Sequence, residues 1–475
     1  MSSTYPFFLA GRWEISSEPL PVVNPYDGSI VGVTYNATDR QIEDAMESAV
    51  AVFPRLRALP SYARADLLRG VRARILAGRD DLARLITAES GKPIKDACAE
   101  VDRCLLTFET AAEEATRVLG EVLPLDVAPS GTCHLGITRR FPIGPVLAIT
   151  PFNYPLNLPA HKVAPALAVG NPVVLKPASK TPLTWLKVAE LCNEAGLPPG
   201  ALSVLPTTTD RADRLVRDNR FKLVTFTGSA PVGWQIKERA GHKRVLLELG
   251  GNAGVIVDAD ADVPFAVART VAGGFAYAGQ LCVSVQRVYA QRAVFDEFAR
   301  DLVNRVRKLK VGDPLDPETD VGPVISAEAV QRITRWIQEA LTEGATLLTG
   351  GRVLGHNLIE PAVLMNVKPT SKISCGEAFA PLVSLCRFDD FDDAVQRLNQ
   401  SPYGLQSAVF TRDLPHAFAA FEQIETGAVI VNDSPSFRVD PMPYGGMKES
   451  GMGREGLKYA IDEMTESRLL VVNRR

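Results

Sequence analysis

Short apolar runs alternate with longer helix-compatible stretches through the middle of the chain. Residues 146–149, 173–176, 223–226 and 245–249 are dominated by Val, Leu, Ile and Phe, and each reads as a buried strand. Between them, residues 159–169 suit a helix that stops at Gly170, a natural C-cap. Thr181-Pro182 opens another helix in cap-then-proline order, and Gly196 closes it. Residues 231–240 suit a third. Alternation at this pitch implies βαβ units and a mostly parallel sheet. A second alternating set begins near Gly254, with a strand over 284–290. Val294, Phe295, Phe298, Leu302, Val306 and Leu309 then recur at spacings of three and four, an amphipathic helix. Residues 313–317, Asp-Pro-Leu-Asp-Pro, form a loop. A further strand–helix passage covers 382–432, and the β-branched run 469–473 can pair with another strand. No internal repeat or low-complexity tract interrupts this order.

Composition narrows the class. The 475 residues are 46% hydrophobic and 23% charged, which excludes disorder for most of the chain and allows about three folding units, two of them interleaved. Lys and Arg (52) nearly balance Asp and Glu (55), so the net charge is −3 and nucleic acid is not an expected partner. Residues 1–10 hold no Lys or Arg and no long apolar run, which argues against a targeting segment. No run approaches the roughly 18 apolar residues of a membrane span. Seven cysteines, at 98, 104, 133, 192, 282, 375 and 386, follow no disulfide or C-x-x-C spacing. A reducing cytoplasm is the expected compartment. None of the five histidines stands in H-x-x-x-H spacing, so no metal is expected.

Three positions stand out chemically. Glu248 interrupts an apolar strand end, where a carboxylate is costly unless paired or functional, and desolvation there would raise its pKa toward that of a general base. Cys282 closes Gly279-Gln280-Leu281-Cys282. Asn153 sits on a stiff loop between Pro151 and Pro155. Two glycine motifs compete as phosphate sites. Gly451-Met452-Gly453-Arg454-Glu455-Gly456 has the G-x-G-x-x-G letters but no strand before it, and reads as a tight glycine turn. Thr225-Phe226-Thr227-Gly228-Ser229 follows a strand and opens a helix, so its N–H groups can face a pyrophosphate.

Together these residues resemble the aldehyde dehydrogenase superfamily. Eight motifs carry the resemblance in chain order: residues 7–13 (Phe-Phe-Leu-Ala-Gly-Arg-Trp), 151–155 (Pro-Phe-Asn-Tyr-Pro), 176–179 (Lys-Pro-Ala-Ser), 226–229, 247–251 (Leu-Glu-Leu-Gly-Gly), 279–282, 377–381 (Glu-Ala-Phe-Ala-Pro) and 444–451 (Tyr-Gly-Gly-Met-Lys-Glu-Ser-Gly). The resemblance implies an α/β protein: a Rossmann-like cofactor domain, an α/β catalytic domain and a small β-ribbon for oligomerisation. It places the NAD(P)-binding domain at 1–118 and 142–250, interleaved with part of 450–466. The catalytic domain falls at 251–449 and the ribbon at 119–141 and 467–475, implying a homodimer or homotetramer.

Roles follow from the resemblance. Cys282 matches the nucleophile that forms a thiohemiacetal and then a thioester. Asn153 and the Cys282 N–H match the oxyanion donors, and Glu248 the base that activates water. Lys162 and Glu455 match positions tied to the structure of the site and to proton passage. For the cofactor, NAD or NADP, the matching positions are Thr150, Pro151 and Phe152 along the cleft, and Lys176 and Ser179 at the adenine ribose. Gly228, Ser229, Val232, Gly233 and Leu249 match those along the pyrophosphate and adenine, and Glu377 and Phe379 those at the nicotinamide ribose.

Two departures from the family pattern matter. Ser179 stands where strictly NAD-dependent members often carry Glu, which removes a carboxylate that would repel a 2′-phosphate. Ala380 replaces a common Gly. The aldehyde tunnel maps to Arg103, Tyr154, His161, Leu281, Val283, Phe437 and Arg438. Two arginines and an imidazole there imply a small polar or anionic aldehyde, of semialdehyde, lactaldehyde or glyceraldehyde phosphate type. The alternative is that one or both arginines point to solvent or pair with Asp102 or Asp440. An acylating, coenzyme A-dependent semialdehyde dehydrogenase is the competing activity; Glu248 speaks for hydrolysis.

Overall fold

A computed structural model describes residues 3–474. Its two largest sheets are joined at the residue singled out for its misplaced charge. The first sheet has eight strands, and its five central ones are parallel, in the spatial order Leu202–Val204, Val173–Lys176, Val146–Ile149, Leu223–Thr227 and Arg244–Glu248. Chain order runs outward in both directions from Val146–Ile149. A switch point therefore lies between that strand and Leu223–Thr227, at the ends where ligands bind in open α/β sheets. The chain leaves the sheet at Glu248, crosses on Leu249-Gly250-Gly251-Asn252, and enters the second sheet as Ala253–Val257. That seven-stranded sheet is parallel except for Thr346–Thr349 at one edge.

The elements expected from apolar patterning are present, with shifts at their ends. The all-buried strands explain why their runs do not alternate, because both faces are covered. The helix Asn157–Val169 is buried on every side, and Gly170 closes it in a left-handed conformation at φ 89°. The amphipathic helix is Arg292–Val306, with Leu309 in the turn beyond it. The expected Thr181 cap is corrected. The helix Leu183–Glu194 has no side-chain cap from its own segment. Instead the buried Glu89 carboxylate accepts from the N–H groups of Leu183 (2.8 Å) and Thr184 (3.1 Å). A carboxylate at that end also meets the positive pole of the helix dipole.

The run at the C-terminus pairs as expected. Thr465–Asn473 lies antiparallel to His134–Pro142 across the whole strand, and Val122–Leu123 completes a three-stranded ribbon. The glycine motif 451–456 is more than a turn. Gly451–Met452 forms a short strand antiparallel to Leu247 and Glu248, with Gly451, Gly453 and Gly456 all at positive φ. Four helices, Asp39–Ala58, Ser61–Ala77, Arg79–Ser90 and Ile94–Glu114, precede the ribbon, and the second and fourth of them pack against the buried helix. No described helix is long and apolar enough to cross a membrane.

Candidate active site

A cleft of about 570 Å³ opens at the switch point. The ends of both central strands line it, through Pro151, Phe152 and Asn153 on one side and Thr227, Gly228 and Ser229 on the other. Glu248, Leu249, Cys282, Glu377 and Phe379 complete the predicted residues that meet there. Arg332, Trp336 and Tyr403 line it too, from parts of the chain with no local signal of a site.

The turn before Cys282 is strained. Tyr277 (φ 46°), Ala278 (φ 53°) and Gly279 (φ 69°) are left-handed in succession, a conformation that costs non-glycine residues energy and persists only when packing enforces it. Enforcement is visible. The Tyr277 hydroxyl donates to the Ser90 carbonyl at 2.9 Å, and the fully buried Gln280 accepts from Ile325 N–H at 2.8 Å. Gly279 is required, because a Cβ would sit 2.2 Å from the Ala380 carbonyl oxygen. The Asn153 amide is held toward this turn, donating to the Gln280 carbonyl at 3.0 Å.

Glu248 is 2% exposed, and neither carboxylate oxygen has a hydrogen-bond partner among the described residues. Burial and then the negative charge of Glu455 push its pKa up to about 8. Burial alone would raise Glu455 as well. The Lys162 ammonium, 2.8 Å away, and Arg438 outweigh it and hold Glu455 at about 2. Lys162 also donates to Thr225 Oγ1 at 3.1 Å.

Glu377 receives the Gly251 N–H at 3.1 Å, and burial pushes its pKa up to about 7. A Cβ on Gly250 would lie 2.4 Å from its carboxylate, so glycine makes room for that side chain. Phe379, at φ 47°, presents its ring edge-on to Phe152 at 5.7 Å. Lys176 Nζ reaches only the carbonyl of Pro177, at 3.3 Å, and its half-buried ammonium is shifted downward by desolvation. Thr150 is buried with its hydroxyl unpartnered. Ser179 and Val232 are exposed, while Gly233 is buried against Leu249. Ser229 begins the helix Ala230–Arg239 without a side-chain cap. A dinucleotide fits this set: an uncapped helix terminus at Ser229 and the half-buried Glu377 carboxylate line the cleft, and the under-partnered Lys176 ends the strand paired with Val146–Ile149.

The predicted tunnel residues form a polar network instead of a row of free cations. Arg103 pairs with the buried Asp440 through Nη2 (2.7 Å) and Nε (3.4 Å); Asp102 pairs with Arg79. His161 Nε2 lies 2.8 Å from Asp440 Oδ1, and Asn157 donates to the same oxygen at 3.3 Å. Burial would raise the Asp440 carboxyl, but His161 and Arg103 hold it far below the usual range. His161 is shifted downward by burial and by Arg438, and its Nδ1 is buried without a partner among the described residues. Arg438 Nη2 lies 3.4 Å from Glu455, and its buried Nε is unpartnered. Tyr154 lies under the Lys92 ammonium at 3.6 Å and the Arg103 guanidinium at 5.6 Å. Leu281 and Val283 are buried beside Cys282, and Phe437 is half exposed.

A Rossmann-like sheet with a cysteine and a carboxylate at its switch-point cleft defines a nucleotide-dependent oxidoreductase class. Residues 13–470 match the aldehyde dehydrogenase family. The 3-sulfolactaldehyde dehydrogenase of Priestia aryabhattai is 41% identical over 472 residues, covering 99% of this chain and 98% of that protein. Among solved structures, aldehyde dehydrogenase 21 from Physcomitrella patens, in complex with the reaction product succinate, is 46% identical. It superposes with a TM-score of 0.98 over 100% of this chain and 99% of that one. The glyceraldehyde-3-phosphate dehydrogenase GapN of Methanocaldococcus jannaschii DSM 2661, complexed with NADP, is 37% identical. Its TM-score is 0.93 over 97% of this chain and 100% of that one. The chain belongs to the aldehyde dehydrogenase family. It is an NAD(P)-dependent enzyme that oxidises aldehydes.

Proposed function

We propose that this enzyme converts a small anionic or hydroxylated aldehyde to the free acid through a covalent adduct on Cys282. The observation that carries the reading is Glu248, a buried carboxylate with no hydrogen-bond partner, lining the same cleft as the thiol. Cys282 Sγ bonds to the carbonyl carbon, and the displaced electron pair moves to oxygen. Asn153 Nδ2 and the Cys282 N–H donate to that oxyanion. A nicotinamide held beside Glu377 and Phe379 would supply the hydride acceptor as the C–H bond breaks and the oxyanion pair reforms the carbonyl, leaving the substrate on Cys282 as a thioester. Glu248 takes a proton from the water that attacks this thioester. The C–S bond breaks and the sulfur departs with the bonding pair. Glu455, held anionic by Lys162, keeps Glu248 basic. Free acid as product, with no acyl-coenzyme A formed when coenzyme A is supplied, is the expected result. Acyl-coenzyme A would establish the acylating alternative.

The tail of the substrate is read by Arg103 and Arg438. Arg103 Nη1 and Arg438 Nη1 and Nε have no partner among the described residues, so each guanidinium keeps donors for a carboxylate or hydroxyl. Succinate in the moss relative and the polar aldehyde in the name of the Priestia relative support this class. Arg103→Met should lower kcat/KM for a short semialdehyde by roughly 1.5–3 kcal/mol and leave the equally long alkyl aldehyde nearly unchanged. Equal losses for both would show that Arg103 does not read the substrate.

Lys176 holds the adenine ribose, and Glu377 and Phe379 the nicotinamide ribose. Ser179 is exposed and has no hydrogen-bond partner among the described residues, which leaves room for a 2′-phosphate beside Lys176. NADP should therefore be used appreciably. Ser179→Glu should depress kcat/KM for NADP more than for NAD, because like charges repel. Complete rejection of NADP by the wild type would contradict this. The enzyme assembles as a homo-oligomer, for which the exposed apolar side chains of Leu469 to Val472, on the edge strand of the ribbon, supply a contact surface. Seven free cysteines suit a reducing cytoplasm.

A further inference from the structure

The hydroxyl of Tyr444 lies 3.0 Å from Cys282 Sγ, and the mechanism above makes no use of it. Tyr444 is 3% exposed and packs with Val283 and Leu405 beside the cysteine. The Arg438 guanidinium covers its ring, 3.7 Å from the centroid. Building on the reading of Cys282 as nucleophile, we propose that Tyr444 is a further catalytic residue. Its O–H donates to the Cys282 sulfur and stabilises the thiolate, and Arg438 on the ring face polarises that O–H bond.

The setting shows why the sulfur needs a donor. The titratable groups facing it are Glu248, Glu377, Tyr154 and Tyr444. Burial and the Glu248 charge push the thiol well above its ordinary range, and Glu377 adds to them. Among these groups, Tyr444 opposes the shift, through its hydrogen bond. It keeps its proton for that bond, because burial and the charges of Cys282 and Glu248 hold it in place, and toward a thiolate, which has no proton of its own, it is the donor. On activation the S–H bond breaks and the proton passes to solvent water in the cleft, while Tyr444 keeps its O–H. A hydrogen bond to an ionised acceptor is roughly twice as strong as one to a neutral acceptor, so the same contact favours thiolate over thiol.

The test is the pH dependence of iodoacetamide alkylation at the Cys282 peptide, read by mass spectrometry. Wild type, Tyr444→Phe, Arg438→Gln and the double variant are compared, with Cys282→Ser marking the site. Tyr444→Phe keeps the ring and removes one oxygen. Its midpoint should rise by at least about one pH unit, and alkylation at neutral pH should fall about tenfold. Arg438→Gln should shift the midpoint the same way by less, and should add nothing on top of Tyr444→Phe. A Tyr444→Phe profile that superimposes on wild type overturns the proposal, as does a fully additive double variant. Should Tyr444→Phe not fold, an unmoved midpoint in Arg438→Gln overturns it. Aldehyde oxidation surviving in Cys282→Ser would instead remove the reading of Cys282, a separate result.

Discussion

In stopped-flow traces the Glu248→Gln enzyme should release about one equivalent of reduced cofactor per site and then nearly stop, whereas Cys282→Ala should show neither burst nor turnover. The asymmetry follows from where each group acts. Without Cys282 no adduct forms, and none of the other six cysteines lines the cleft. Without the Glu248 carboxylate the adduct still forms, and the other carboxylate of the cleft, Glu377, is engaged by the Gly251 N–H and assigned to the nicotinamide ribose. The steady-state loss should be about 10²–10⁴-fold, the range for a positioned general base. Wild type adds a pH signature. The base acts as carboxylate, and burial and the Glu455 charge push its carboxyl up to about 8. The deacylation rate should therefore rise with pH through about 8 and level off above it. A flat profile between pH 6 and 9, with deacylation limiting, would count against Glu248 as the base.

Asn153→Ala should cost about 10²–10³ in the burst rate, the effect of removing one oxyanion donor. Asn153 is 4% exposed, and its amide is already turned toward the Cys282 turn through the Gln280 carbonyl. The loss belongs to adduct formation, so the burst slows while its amplitude stays near one. A burst at the wild-type rate would show that the oxyanion is held by backbone N–H groups alone.

How legible these parts were in the sequence depends on the range of the forces that set them. The central strands could be read because burial on both faces writes an unbroken apolar run. Glu248 could be read for the complementary reason: a charge ending such a run has no local compensation. Cys282 could not be read alone, since a buried cysteine is an ordinary small hydrophobe, and only the ordered motifs singled it out. The Thr181 cap failed because the true cap, Glu89, comes from a helix 94 residues earlier. Asp440 could be named beside Asp102 as a partner for the arginines, but the choice between them was not local, because Asp440 lies 337 residues from Arg103. The helix Asp39–Ala58 carried a usable local signal, the Thr38–Gln41 capping box. Tyr444 lay inside a quoted motif, yet nothing local shows that its hydroxyl reaches a sulfur 162 residues away.

The central claim is that the substrate passes through a thioester on Cys282 that Glu248 resolves. Glu248→Gln, mixed with a short semialdehyde and NADP, quenched in acid after the burst and digested, tests it most directly. The account predicts a Cys282 peptide heavier by the acyl group, at near one equivalent and persisting after the burst, whereas in wild type the species decays once the aldehyde is exhausted. An unmodified Cys282 peptide after a full burst, or the acyl group on another cysteine, would contradict it.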